Sequence, residues 1–589
     1  MGLLGLAGAV PAWARGADLL TGAARKGIDE ATGPNIDLTV ARSAFSTGNR
    51  RGGAIAVNGS IPGPLLRLRE GTTVRLNVHN QLEEDTSIHW HGLLVPFQLD
   101  GVPGVSFPGV KPGETFTAEF PVRQAGTYWW HSHSGLQEQA GHYGPIVVDP
   151  AGADPVQADR EYIVVLSEFS EMSPHTIFDK LKKGEGYFNY NQNTWTDDYP
   201  LSGEDRRMWA KMRMMPTDIL DVSSAAYTYL LNGHGPLDNL EYLFRPGERV
   251  RLRFVNAGAM TFFNIRIPGL PMTVVQADGQ NVEPVEVDEF QIGVAETYDV
   301  VVTPGEQAAY TLVAESMDRS GMGIATLASR PGARAAIPPL RDPPLLTMAD
   351  MGMSGMDHGA GTGGDMSGMD HGNDDAMAGM DHGSSGTPDG DPMAGMAGMS
   401  GMQMRDTSLL PPDVEVGPGL DMVSMNPVDR MGDPGIGLAD VPHRTLDYRK
   451  LRALTPHQEG RTPSRRMEIH LTGNMERYMW SFDGKKFSAV SDEPIRFAYD
   501  ERVRVKLIND TMMAHPIHLH GHFFELVNGA PADRQPLKHT VILQPGGSAQ
   551  FDLTADEPGD WAFHCHLLYH MHAGMFQIVT VANPDGSEA

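Results

Sequence analysis

Cys565 is the only cysteine in the 589-residue chain, inside His564-Cys565-His566-Leu567-Leu568-Tyr569-His570-Met571-His572-Ala573-Gly574-Met575. A single cysteine forms no intrachain disulfide. An imidazole follows at His570 and a thioether at Met575, at equal steps along the chain. Thiolate, imidazole and a weak axial thioether suit the copper(I)/copper(II) couple and make a blue-copper electron-transfer centre. Alternate strand residues point to opposite faces, so His564 and His566 project away from the Cys565 side. One strand can then feed two metal centres, with the cysteine's backbone as a short electron path between them.

Three further histidine pairs occur: His89-Trp90-His91-Gly92, His131-Ser132-His133 and His515-Pro516-Ile517-His518-Leu519-His520-Gly521. In a strand, an i, i+2 pair sends both imidazoles to one face. Meeting at a shared interface, His89, His91, His131, His133, His518, His520, His564 and His566 fit three copper ions, two with three histidines each and one with two. A lone histidine is far more often a surface or core residue than a ligand. Pairs at matched offsets, one of them enclosing the only cysteine, outweigh that.

Positioning falls to a repeated strand. Gly71–Asn80, Gly247–Asn256 and Asp500–Asn509 each alternate apolar and polar residues and end in Asn, as half-buried strands entering turns do. The same offsets past that Asn reach His89 and His91 in the first copy, His518 and His520 in the third, but Ile265 and Ile267 in the second. Likewise Gly126–His133 parallels Gly559–His566, while the middle copy reads Tyr310-Thr311-Leu312-Val313-Ala314-Glu315. Three homologous β-domains follow, at 36–155, 156–335 and 440–583, the middle one structural. Short strands with Gly/Pro turns predict β-sandwiches of Greek-key type.

Residues 345–410 break this pattern. Met, Gly, Asp, His, Ser and Ala dominate, and Met-Asp-His-Gly recurs at Met356, Met369 and Met380. The stretch offers no aromatic residues to build a core and reads as a disordered linker. Of the chain's 33 methionines, 13 fall within 348–404, too many for a neutral spacer. Thioethers suit copper(I), and interspersed Asp and His extend the repertoire to copper(II), so Met356, His358, Met369, His371, Met380 and His382 are candidate linker ligands.

The formal net charge of -28 disfavours nucleic acid and anionic membranes and favours cations. No apolar run is long enough to span a bilayer. Residues 1–15 are apolar and end near Ala12-Trp13-Ala14, a small-x-small cleavage pattern. They read as an export signal shortened at its basic start, of twin-arginine type, and so as a mark of a periplasmic protein. A monomer is expected.

From residue 36 to 583 these motifs closely resemble the multicopper oxidase family, and within it the periplasmic copper-resistance protein A group. Beyond the ligand motifs, the resemblance includes Gln137-Glu138-Gln139, Tyr143-Gly144-Pro145, Asn474–Gly484, Met512-Met513-Ala514-His515 and the Met/His linker. It implies an all-β chain of three cupredoxin-like sandwiches and four copper ions. It places His515, Cys565 and His570 on a type 1 copper with Met575 axial, and His89 and His518 on a type 2 copper. His91, His131, His133, His520, His564 and His566 would hold the binuclear type 3 pair. The implied activity oxidises copper(I) or small aromatic substrates one electron at a time through Cys565 and reduces O₂ to water. Asp100 matches the family's acid near the type 2 copper, although a turn-capping role before Gly101 fits the sequence equally well.

Two positions depart from the family. Other branches carry an acid directly after the second type 1 histidine, where this chain has Met571, and the copper-resistance group usually has Glu where this chain has His572. The usual carboxylate proton relay is therefore absent, altered or supplied elsewhere. His522 and His142 read as surface or supporting groups. Met208, Met212, Met214, Met215, Met475, Met479, Met512 and Met513 read as a methionine-lined approach for copper(I), against a simpler role in core packing. The rival functions are a copper-sequestering buffer and a laccase with an organic substrate.

Overall fold

The computed structural model describes residues 28–48, 50–192, 203–212, 215–347, 350–352, 406–487 and 493–587. The expected export signal and the candidate linker ligands at 356–382 lie outside the described residues, as do the side chains of Met208, Met212 and Met214.

Three pairs of sheets follow one another along the chain. The first pair spans Glu30 to Asp149, the second Arg160 to Ala328, and the third Val428 to Val581. Each is a cupredoxin-like sandwich of mixed pairing. Asn35–Thr47, for example, runs parallel to Thr73–Asn80 and antiparallel to Arg50–Val57. In Thr73–Asn80 alternation decides the fold: Val74, Leu76, Val78 and Asn80 are buried, while Thr73 and Arg75 are exposed.

The strands that carry ligands are apolar on both faces because both faces are covered. Along Gly126–His131, Tyr128 and Trp130 enter the core of the first sandwich. Trp129 and His131 point the other way, with Trp129 joining the core shared by the second and third sandwiches. The same period of two sorts Gly559–Cys565: Trp561, Phe563 and Cys565 face that shared core, and His564 faces the first sandwich. This strand pairs with His515–Leu519 in a register that sets Ile517 opposite Cys565 and His518 opposite His564. Histidines of the first and third sandwiches thus meet across one buried seam.

Candidate metal centre

On one side of the Gly559–Cys565 strand lies a thiol–imidazole group. Cys565 Sγ is 3.5 Å from His515 Nδ1 and 3.9 Å from His570 Nδ1, and the two imidazole nitrogens are 3.2 Å apart. His515 opens its strand, whereas His570 sits in the short helix Leu568–Ala573. Met575, fully buried, follows that helix, and the Cys565 N–H donates to its carbonyl at 3.1 Å. Trp480 stacks on His570 with centroids 3.9 Å apart.

On the other side the eight remaining imidazoles gather. His89, His91 and His518 form one group, His91, His131 and His566 a second, and His133, His520 and His564 a third. Within each group the candidate ligand atoms lie within 4.8 Å of one another. Three of the histidine pairs are therefore shared out: His131 and His566 belong to one group, His133 and His564 to another, and His518 and His520 are likewise divided, whereas His89 and His91 meet in the first group. Expecting both members of a pair on one strand face holds only loosely, because His133 and His566 lie just past their strand ends, where the chain bends.

The ring nitrogens reveal what this cluster is built for. His89 Nε2, His91 Nδ1, His131 Nε2, His518 Nε2 and His566 Nε2 are buried without a hydrogen-bond partner. Each such orphan costs on the order of 1–3 kcal/mol in a folded protein, so a cluster of them calls for a metal. The opposite nitrogens are held. His89 Nδ1–H donates to the Asp100 carbonyl at 2.8 Å, His518 Nδ1–H to the His539 carbonyl at 2.7 Å, and His564 Nδ1–H to the Cys565 carbonyl at 2.9 Å. A carbonyl only accepts, so Nδ1 carries the proton and Nε2 keeps its lone pair for a metal.

Burial, with neighbouring imidazoles, pushes His91, His131, His133, His518, His520 and His566 well below the usual histidine range, and His564 down to about 4. Neutral imidazoles are what a metal requires. Burial drives the Cys565 thiol far up, a shift that only a bound cation reverses. The donor set fits copper: a soft thiolate with imidazoles on one side and imidazoles alone on the other.

Carboxylates complete the arrangement. Asp100 Oδ2 accepts from His520 Nδ1 at 2.8 Å, and its Oδ1 lies 3.2 Å from His89 Nδ1. Its backbone N–H also closes the turn Phe97–Leu99 by donating to the Phe97 carbonyl. Glu138, in the Gln137–Gln139 motif, holds His131 Nδ1 at 2.7 Å. Asp221, from the second sandwich, holds His570 Nε2 at 2.7 Å, and Thr511 Oγ1 lies 2.7 Å from His515 Nε2. Spacing along the chain does not point to these last three. Glu138 has a local signal in its motif, while Asp221 lies far from every ligand motif in the chain.

Other expectations need correction. Of the two roles weighed for His142 and His522, burial removes the surface one and leaves the supporting one, and neither joins a candidate metal group. Met571 is half-buried, and His572 turns its Nε2 to the Gly135 carbonyl at 2.6 Å. The middle sandwich supplies none of the candidate ligands among the described residues, yet it contributes Asp221 to the edge of the Cys565 group.

Such a fold with such a centre defines a copper-dependent oxidoreductase. Models of the multicopper oxidase family match residues 39–153, 190–332 and 460–585, and the chain belongs to that family. Members carry four copper ions, one type 1, one type 2 and a type 3 pair, for which these clusters are suited. The chain is 48% identical to copper resistance protein A of Escherichia coli over 93% of each chain. It is 49% identical to a copper resistance protein A homolog of Pseudomonas syringae pv. tomato, over 94% of this chain and 93% of the relative. Its fold matches the laccase of Botrytis aclada with a TM-score of 0.59 at 20% identity, over 95% of this chain and 88% of that one.

Proposed function

We propose that this chain is a periplasmic copper-resistance oxidase that passes electrons from copper(I), and from phenolic substrates, to dioxygen. In this reading His515, Cys565 and His570 hold the type 1 copper, with Met575 axial, and His89 and His518 hold type 2. His91, His131 and His566 hold one type 3 copper, and His133, His520 and His564 hold the other. The copper ions supply one-electron oxidation at type 1 and four-electron reduction of O₂ to water at the trinuclear cluster. Asp100 is the acid on the cluster's own histidines.

One observation carries the reading. Cys565 lies within 3.9 Å of two imidazole nitrogens, while its chain neighbours His564 and His566 belong to the other cluster. A short run of backbone therefore joins the electron-accepting and oxygen-reducing sites.

Copper(I) as substrate draws on the methionines. Met512 and Met513 are buried just before His515, and Met215, Met475 and Met479 are half-buried. The root of the Met/His-rich segment points the same way. Met351 is buried, Gly352 packs against Gly546, and Gly546 donates its N–H to Thr511, whose hydroxyl meets His515. The segment therefore leaves the fold beside the type 1 group, where tethered thioethers raise the local copper(I) concentration. Three sandwiches at 36–155, 156–335 and 440–583, a copper-binding linker at 345–410, a monomer and a cleaved export signal complete the proposal.

Cys565→Ser tests it. The variant loses the blue absorption and oxygen uptake with copper(I) while keeping copper at the trinuclear cluster. Copper(I)-driven oxygen uptake that survives the substitution overturns the reading.

A further inference from the structure

We infer that Asp278, in the middle sandwich that supplies no candidate ligand among the described residues, is a positioning residue for the type 2 copper, acting through the His539 carbonyl on His518. The inference rests on the reading of His518 as a type 2 ligand.

Asp278 lies in the tight turn between strands Met272–Ala277 and Gln280–Val287 and is fully buried. Its φ of +46° is left-handed, a conformation rare outside glycine but several-fold commoner for Asp and Asn. Gly279 follows at φ +74°, and a Cβ there would stand 2.4 Å from the Tyr128 ring of the first sandwich. The turn is thus wedged between the other two sandwiches, and the strain at Asp278 is held by packing.

Its carboxylate reaches both ways. Oδ1 accepts from Thr297 N–H at 3.2 Å within its own sandwich. Oδ2 accepts from the third sandwich, from Thr540 N–H at 3.1 Å and His539 N–H at 3.3 Å, with Lys538 Nζ also 3.1 Å away. Lys538 has a second anion in Glu296, at 3.0 Å, so neutralising that lysine does not by itself require Asp278. The two backbone N–H groups are instead bonded to Asp278 itself.

The peptide pinned in this way presents the His539 carbonyl to His518. That oxygen accepts from Leu519 N–H at 3.2 Å and from His518 Nδ1–H at 2.7 Å, leaving His518 Nε2 as an unpartnered buried acceptor in the cluster. His518 and Thr540 face each other in the strand register, so displacing 539–540 moves the imidazole. A type 2 copper held by two histidines loses half its protein ligands when one turns away, whereas each type 3 ion keeps two of three. Asp278 therefore acts on the copper that His518 holds, as Asp221 of the same sandwich acts on His570 at the other centre.

Asp278→Asn tests this, because Asn keeps the shape and tolerates the left-handed backbone while losing the second acceptor oxygen. We expect type 2 copper to be bound about tenfold or more weakly. The type 2 electron paramagnetic resonance signal fades and bound copper falls by one ion per chain, with the blue absorption of type 1 at full strength. A type 2 signal at wild-type strength overturns the inference. So does a loss of type 1 and type 2 in equal proportion, which marks general loosening of the fold. If Asp278→Asn does not fold, Lys538→Met, which leaves two buried carboxylates facing each other, is read by the same signal: selective loss of type 2 supports the inference, and retention or an equal loss of both overturns it. His518→Ala separates the layers: a type 2 signal surviving there refutes the ligand reading itself, whereas its loss there with retention in Asp278→Asn refutes only the role of Asp278.

Discussion

Asp221 Oδ2 lies 2.7 Å from His570 Nε2 and also accepts the Tyr478 hydroxyl at 2.7 Å, so a carboxylate of the second sandwich is fastened to an imidazole of the third. Its negative charge favours the more highly charged copper(II) over copper(I). Asp221→Ala therefore raises the type 1 reduction potential, while the released His570 binds copper about tenfold or more weakly, so that turnover per chain falls. Spectroelectrochemical titration of the blue band checks the first effect and steady-state oxygen uptake the second. An unchanged potential would leave Asp221 a packing residue only.

Gly101 offers a backbone test at the trinuclear side. Its φ is +87°, and a Cβ there would stand 1.9 Å from the Ile88 carbonyl oxygen and 3.1 Å from the His89 Cα. The left-handed conformation alone costs an alanine about 1 kcal/mol, and the clash with backbone cannot be relieved by a rotamer. Gly101→Ala should lower stability to denaturant by several times that amount and reduce copper at the His89 group. Equal stability with full copper would mean that the Asp100–Gly101 turn is loosely held.

Acid should unfold the metal-free protein early. Burial holds His564 at about 4 against an ordinary 6.5, and its companions are also pushed down. Well above pH 6.5 both folded and unfolded imidazoles are neutral and the effect is nil. As pH falls from there toward 4, the unfolded chain takes up protons that the folded chain refuses, so folding stability declines across that window. Thermal melting of the apoprotein at stepped pH measures it. A melting temperature that stays flat over that window would contradict this.

Removing residues 353–405 tests the tethered methionines. The cut spares buried Met351 and the Gly352 contact with Gly546. Oxygen uptake at low copper(I) should fall, with little change at saturating copper(I) or with a phenol. Unchanged copper(I) kinetics across the whole range would remove the segment from the oxidation pathway.

The candidate ligands are legible in the chain because they recur. His89 and His91 share an offset with His518 and His520, and the alternation of Thr73–Asn80 and its copies declares the strands. The division of His131 from His133 and of His564 from His566 is not legible, because it depends on the bend after His131 and Cys565 rather than on spacing. Nor are Asp221, Thr511 and the Asp278–His539 contact. Sandwich packing brings Asp221 and Asp278 to their partners and leaves no period in the chain, whereas Thr511 reaches His515 through a local turn. Asp100 stands between the two cases: its motif puts it near the cluster, and only the fold shows it closing a turn and bonding His520 together.

The proposed path brings electrons in at the Cys565 group and uses them to reduce O₂ to water at the histidine cluster. The most direct test is the stoichiometry of the copper-loaded protein turning over copper(I) under limiting oxygen. Reduction of O₂ to water predicts four copper(I) oxidised per O₂ with no hydrogen peroxide released, and no such turnover in Cys565→Ser. Two copper(I) per O₂ with accumulating peroxide, or full turnover without the thiolate, would contradict it.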